Sequence, residues 1–200
     1  MMASPNEPRS SERGATLVEF ALVLPILLLL VLGLVDIAAL WGNSQSVVQA
    51  ARSGARSVSH AGQLEEADQI SLRSVKATLG SDWTDIERVV IYEASSADQG
   101  NPPAGCIADG VTSSPTGTNC NVYTSADLGD VLNDARFVDG ANCGTARSSN
   151  WCPSLRNNDL RTAQWIGVWV EYKKDWLTGF LPLGAYTITE NTVMRMEPRV

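Results

Sequence analysis

The chain has 200 residues, 44% of them apolar and 18% charged, and its 15 Lys+Arg against 22 Asp+Glu leave a net charge of −7. That length fits one domain, or one domain with an appendage, and the apolar share excludes wholesale disorder. The acidic balance argues against a general nucleic-acid binder, which needs a basic face. Residues 1–60 are neutral, with Arg9, Arg13, Arg52 and Arg56 against Glu7, Glu12, Glu19 and Asp36, so the whole excess lies in residues 61–200.

Residues 20–35, FALVLPILLLLVLGLV, carry no charge, and the 25 residues 17–41 are interrupted only by Glu19 and Asp36. At 1.5 Å per residue the longer stretch reaches about 37 Å, enough to cross a hydrocarbon core of about 30 Å. Trp41 stands where an interfacial aromatic would anchor the far end. A buried core helix is a poor alternative, because a chain this short has few places to hide a helix that is apolar all round. A cleaved secretory signal also fits poorly: the stretch is long for such a signal, and the small-residue candidate Ala38-Ala39 follows a charge.

Residues 43–60 continue this helix outward, or start a fresh one capped by Asn43 or Ser44. Ala50/Gly54 and Ala51/Ala55 stand four apart, which suits close approach of another helix or packing on the chain's own domain. Arg52 and Arg56 form a solvated stripe or face anionic headgroups. Residues 63–79 read as an amphipathic helix with Leu64, Ala67, Leu72, Val75 and Leu79 on one stripe and Gly80 at its end. Residues 86–93 read as a strand through Val89, Val90, Ile91 and Tyr92.

From residue 94 to about 160, Ser, Gly, Asn, Asp, Pro and Thr dominate, with a short helix expected at 126–136. All four cysteines, Cys106, Cys120, Cys143 and Cys152, fall here. Their spacings match no zinc pattern and no C-x-x-C redox motif, so they read as two disulfides on the oxidising side of a membrane. Of the three connectivities, Cys106–Cys120 with Cys143–Cys152 closes the shortest loops. The positive-charge bias across the span is a tie, so the cysteines set the orientation: N-terminus inside, C-terminal part extracytoplasmic. Residues 164–173 form a strong strand, with Ile166, Val168, Val170 and Tyr172 on one face and Trp165 and Trp169 on the other. Residues 177–183 are a short apolar segment, and 186–196 a last strand. The sum is an α+β fold: a long transmembrane helix, then a small domain of helix plus antiparallel sheet carrying a disulfide-stapled insert at 94–160.

No catalytic constellation emerges. His60 is the lone histidine, and no G-x-S-x-G, G-x-G-x-x-G or phosphate loop occurs. Asp127, Asp130, Asp134 and Asp139 lack the spacing of a calcium loop and read as a solvated acidic face. The six tryptophans (Trp41, Trp83, Trp151, Trp165, Trp169 and Trp176) read as packing residues before they read as a sugar surface. No enzyme activity, cofactor or metal is expected.

The residues at the membrane entrance say more. Gly14, then four residues, then Glu19 and Phe20 ahead of a long apolar run resembles a type IV prepilin processing site. Arg13 to Pro25, RGATLVEFALVLP, resembles the start of TadE-like proteins, pseudopilin-class components of Tad (Flp) pilus systems. The segments 49–56, QAARSGAR, and 192–199, TVMRMEPR, resemble the same family less specifically, and residues 94–160 resemble nothing in it. The resemblance implies a peptidase cut between Gly14 and Ala15, separating a cytoplasmic leader (1–14) from the transmembrane helix (15–41) and an extracytoplasmic domain (42–200). Glu19 would then be the fifth residue of the mature chain and Phe20 the sixth. It implies a structural or assembly component, in a surface pilus or in the cytoplasmic membrane beneath it, with other pilus subunits, the Tad assembly machinery, a prepilin peptidase and membrane lipid as partners and no nucleic acid. The alternative is an uncleaved membrane-anchored module that binds or adheres through its stapled insert.

Overall fold

The computed structural model describes residues 11–97, 100–138, 143–144, 146–179 and 184–198, with the side chains of 11–13 and of Ala15 excepted. The start of the expected leader (1–10), Asp139, Arg199, and 180–183 of the apolar segment lie outside these described residues.

The apolar stretch and the residues after it form one helix, α1 (Ser11–Ala61), which tolerates Pro25 in its interior. Asn43 and Ser44 therefore sit inside a helix and cap nothing. A second helix, α2 (Ala67–Leu79), starts later than the sequence pattern implies, and Gly80 ends it at φ 61°. Leu64 falls in the preceding turn and is exposed, while Ala67, Leu72, Val75 and Leu79 are buried as expected.

Four antiparallel strands follow: β1 (Ile86–Ala94), β2 (Cys120–Thr124), β3 (Trp165–Asp175) and β4 (Ala185–Arg195), in the order β2-β1-β3-β4. The expected strands at 86–93, 164–173 and 186–196 are present. The fourth, β2, comes from within the Cys-bearing segment, so that segment is not merely an excursion beside the sheet. The expected helix at 126–136 is a short α4 (Ser125–Gly129) and a separate 3-10 turn (Asp134–Arg136). A capping box, Thr124 with Asp127, starts α4, and the chain leaves the helix after Gly129.

The described residues fall into two compact units: α1 up to Trp41 with Trp176–Gly184, and Gly42–Asp175 with the chain from Ala185. In the second unit β1, β2 and most of β3 are buried on both faces, while the edge strand β4 is largely exposed or half-buried. Val89, Ile91 and Val168 lie in register on the helix side with Tyr123 and Asn121. There Gly54 brings α1 so close that a Cβ would stand 2.7 Å from Val75 Cγ2 and 3.3 Å from Val168 Cγ1. Ser71 Oγ donates to the Gly54 carbonyl at 3.0 Å. Ala50, Ala51 and Ala55 are fully buried with it. The small residues of 50–55 thus serve packing within this domain.

The opposite face is covered by the stapled segment. Val90, Tyr92, Val122 and Trp169 pack with the Cys106–Cys120 disulfide, which joins α3 (Ala104–Ile107) to the start of β2. Gly167 lets the Tyr92 ring cross β3, since a Cβ there would fall 2.2 Å from Tyr92 Cζ. The second disulfide is Cys143–Cys152, so both bonds pair as the shortest loops imply.

Candidate assembly site

The residues singled out at the membrane entrance all sit in the first turns of α1. Gly14 is exposed, and a Cβ there would meet nothing within 4 Å. Glu19 and Phe20 are exposed, Phe20 by 62%. Ala15 belongs to the same helix, and its side chain is among those not described. Residues 16–30 are exposed throughout, so this stretch presents leucine, isoleucine and valine outward on all sides. The helix is long and apolar enough to span a membrane, with almost none of the span buried within the protein. An apolar surface of this kind is stable only in lipid or against similar helices.

Asp36 breaks this surface near its far end. It is 3% exposed, between Val35 and Ile37, which are 42% and 61% exposed. Its carboxylate accepts the Thr178 backbone N–H at 3.0 Å and the Thr178 hydroxyl at 2.5 Å. No local pattern marks this partner, 142 positions away.

In the second unit, a network that the sequence reading missed surrounds Asp68. Its carboxylate receives Arg156 Nη1 at 2.7 Å and Nη2 at 2.9 Å, the Tyr123 hydroxyl at 2.7 Å and Asn121 Nδ2 at 2.8 Å. Arg156 stacks on Trp151 at 4.0 Å. Burial, followed by the adjacent Asp68 charge, pushes the Tyr123 hydroxyl far above its ordinary range, so it stays a donor. One signal was available: Asp68 stands four residues before Leu72 and seven before Val75, on the apolar stripe of α2.

The expected solvated acidic face is corrected at Asp127, whose side chain is 2% exposed. It takes hydrogen bonds from Arg147 (2.7 and 2.9 Å), Arg136 (2.8 Å) and Thr124. Burial alone would raise its carboxyl, but the bonds from Arg147 and Thr124 outweigh it and hold the group below the usual carboxylate range. Asp130 pairs with Arg136, and Asp134 with Arg73 at 2.9 Å.

His60 faces Glu197 at 2.6 Å with both side chains more than half exposed. Among the described residues no group of three or more His, Cys, Asp or Glu is placed to hold a metal. The groove of about 590 Å³ beside Trp165 has its Glu93 carboxylate already occupied by Asn119 and Gln164. Trp151 and Trp169 are 8% exposed and serve packing.

Residues 14–56 match the family model described as TadE-like protein. The match covers the prepilin-like entrance, the apolar helix and the small-residue stretch, and ends before α2. No curated protein and no solved structure matches the chain. The TadE-like family suggests a Tad pilus-related component, structural and not catalytic in character.

Proposed function

We propose that this chain is a minor pilin or pseudopilin of a Tad pilus, cut between Gly14 and Ala15 by a prepilin peptidase and held in the cytoplasmic membrane by α1. The carrying observation is a carboxylate, Glu19, on an exposed apolar helix inside the segment that matches the TadE-like model. Cutting after Gly14 creates an α-amino group at Ala15. In a parallel array of such helices, one subunit's Glu19 pairs with a neighbour's Ala15 amine, and a charge that is costly in an isolated helix becomes a register device. Gly14 is exposed, and the space where a side chain would stand is open, which suits access by a protease.

The two disulfides support an extracytoplasmic domain, since such bonds persist in oxidising compartments. The N-terminus then lies in the cytoplasm, in reach of the Tad assembly machinery. Mass spectrometry of the membrane-extracted protein from a host with the peptidase tests the reading. A chain starting at Ala15 is expected. A chain still carrying residues 1–14 in such a host leaves only the uncleaved anchored module.

A further inference from the structure

We propose that the tip of the β3–β4 hairpin, Trp176 to Gly179, is a second membrane contact, lodged in the headgroup and upper acyl layer beside α1. The proposal rests on the membrane-spanning reading of α1. Its first support is the level at which the tip is fixed. Thr178 gives both its backbone N–H and its hydroxyl to Asp36. Asp36 lies five residues before Trp41, about 7.5 Å of helix rise on the membrane side of that aromatic anchor. A segment bonded to Asp36 is therefore inside the span of residues 17–41.

The second support is chemical. Trp176–Gly184 reads WLTGFLPLG and contains no charged residue, whereas Lys173, Lys174 and Asp175 directly precede it. Leu177 is 70% exposed, comparable with Leu34 (66%) and Ile37 (61%) on the flanking turns of the helix. In water this would be one apolar surface beside another, both uncovered. In lipid the same placement buries all three side chains. The hairpin also settles the cost of Asp36. A carboxylate facing hydrocarbon is strongly disfavoured unless hydrogen-bonded, and Thr178 supplies two donors where water is scarce.

The tip itself supplies the lipid contact. Leu177 is its exposed apolar side chain, and Gly179, at φ 60°, turns the chain immediately after Thr178.

The full-length protein tests this after reconstitution in phosphatidylethanolamine/phosphatidylglycerol vesicles. Single cysteines are introduced by Leu177→Cys, Leu34→Cys and Leu160→Cys, and each carries an environment-sensitive fluorophore. Leu34 reports the span, and Leu160, 74% exposed in the other unit, reports water. The native cysteines are all disulfide-bonded and stay unlabelled. Lipids bearing a nitroxide high on the acyl chain quench from the membrane, and iodide quenches from water. The expected result is lipid quenching with loss of iodide quenching at both 34 and 177, and the reverse at 160. Iodide quenching at 177 with lipid quenching at 34 overturns the hairpin contact and leaves the span intact. A label at 177 silent to both quenchers also overturns it, because protein would then cover the tip. Iodide quenching at 34 overturns the spanning reading, and the hairpin contact falls with it.

Discussion

Asp68 and Arg156, 88 positions apart, meet as a double hydrogen-bonded ion pair at 2.7 and 2.9 Å with side chains 1% and 0% exposed. The pair ties α2 to the Cys-bearing segment. Removing one partner leaves a buried charge uncompensated. Arg156→Met should therefore lower domain stability by about 3–5 kcal/mol, while the double variant Arg156→Met/Asp68→Leu should recover much of that loss. Denaturant unfolding of the detergent-solubilised chain reads both. A single variant within 1 kcal/mol of wild type would show that the pair does not hold the segment in place.

Asp127 sets the acid limit of the same region. Its folded carboxyl titrates below its unfolded value of about 3.9. The stability it contributes is fully present above that unfolded value and is lost as pH falls through the lower folded one. Asp127→Asn should cost about 2 kcal/mol near neutrality, the scale of charged hydrogen bonds. Its melting temperature should approach that of wild type as pH drops below about 4. Parallel melting curves from pH 7 to pH 3 would remove Asp127 as the source.

The disulfides close loops of sequence separation 14 and 9. Each should contribute about 3 kcal/mol in the chain-entropy model. Because Cys120 opens β2, reduction should free the edge strand and residues 104–119 before the β1-β3-β4 core. Hydrogen exchange with and without reductant measures this. Equal loss of protection in β2 and in β3–β4 would mean that the staples hold the whole sheet.

What the sequence revealed and what it hid divide along a physical line. Local signals carried α1, α2, three strands and the disulfide pairing, because an uncharged run, a 3.6-residue stripe, alternation and loop length are all written in neighbouring residues. Strand β2 was hidden because it is five residues long and sits in turn-rich composition. The partners of Asp68 and Asp36 were hidden because Arg156 and Thr178 lie 88 and 142 positions away, and those of Asp127 because Arg136 and Arg147 come from turn-rich segments whose placement no local pattern marks. The candidate site at Gly14 and Glu19 could be named from the sequence for the opposite reason: the proposal rests on spacing along one helix.

Gly54 separates packing from assembly. A methyl group there would stand 2.7 Å from Val75 Cγ2 and 3.1 Å from Ser71 Oγ. Gly54→Ala should destabilise the domain by about 1–3 kcal/mol through overpacking. Thermal unfolding of the monomeric, detergent-solubilised protein should already show it. A variant that melts normally but fails only in pilus formation would return the small-residue stripe to a role between subunits.

Glu19 should behave in the opposite way. It is exposed on the apolar part of α1, where a carboxylate lowers the ease of insertion by up to about 2.5–3.5 kcal/mol at mid-bilayer and less near the surface. Glu19→Ala removes that cost, so membrane insertion should be unimpaired. Asp68–Arg156, the two disulfides and the sheet all belong to the unit beyond Gly42, so their stability should be unchanged. Piliation should fall, because the proposed pairing of Glu19 with the Ala15 amine of a neighbouring helix is lost. Immunoblotting of membrane fractions, melting of the purified variant and electron microscopy of cells read the three quantities separately. Normal pili on cells carrying only the Glu19→Ala chain would rule out the amine–carboxylate pairing, and a lowered melting temperature would place Glu19 in the fold.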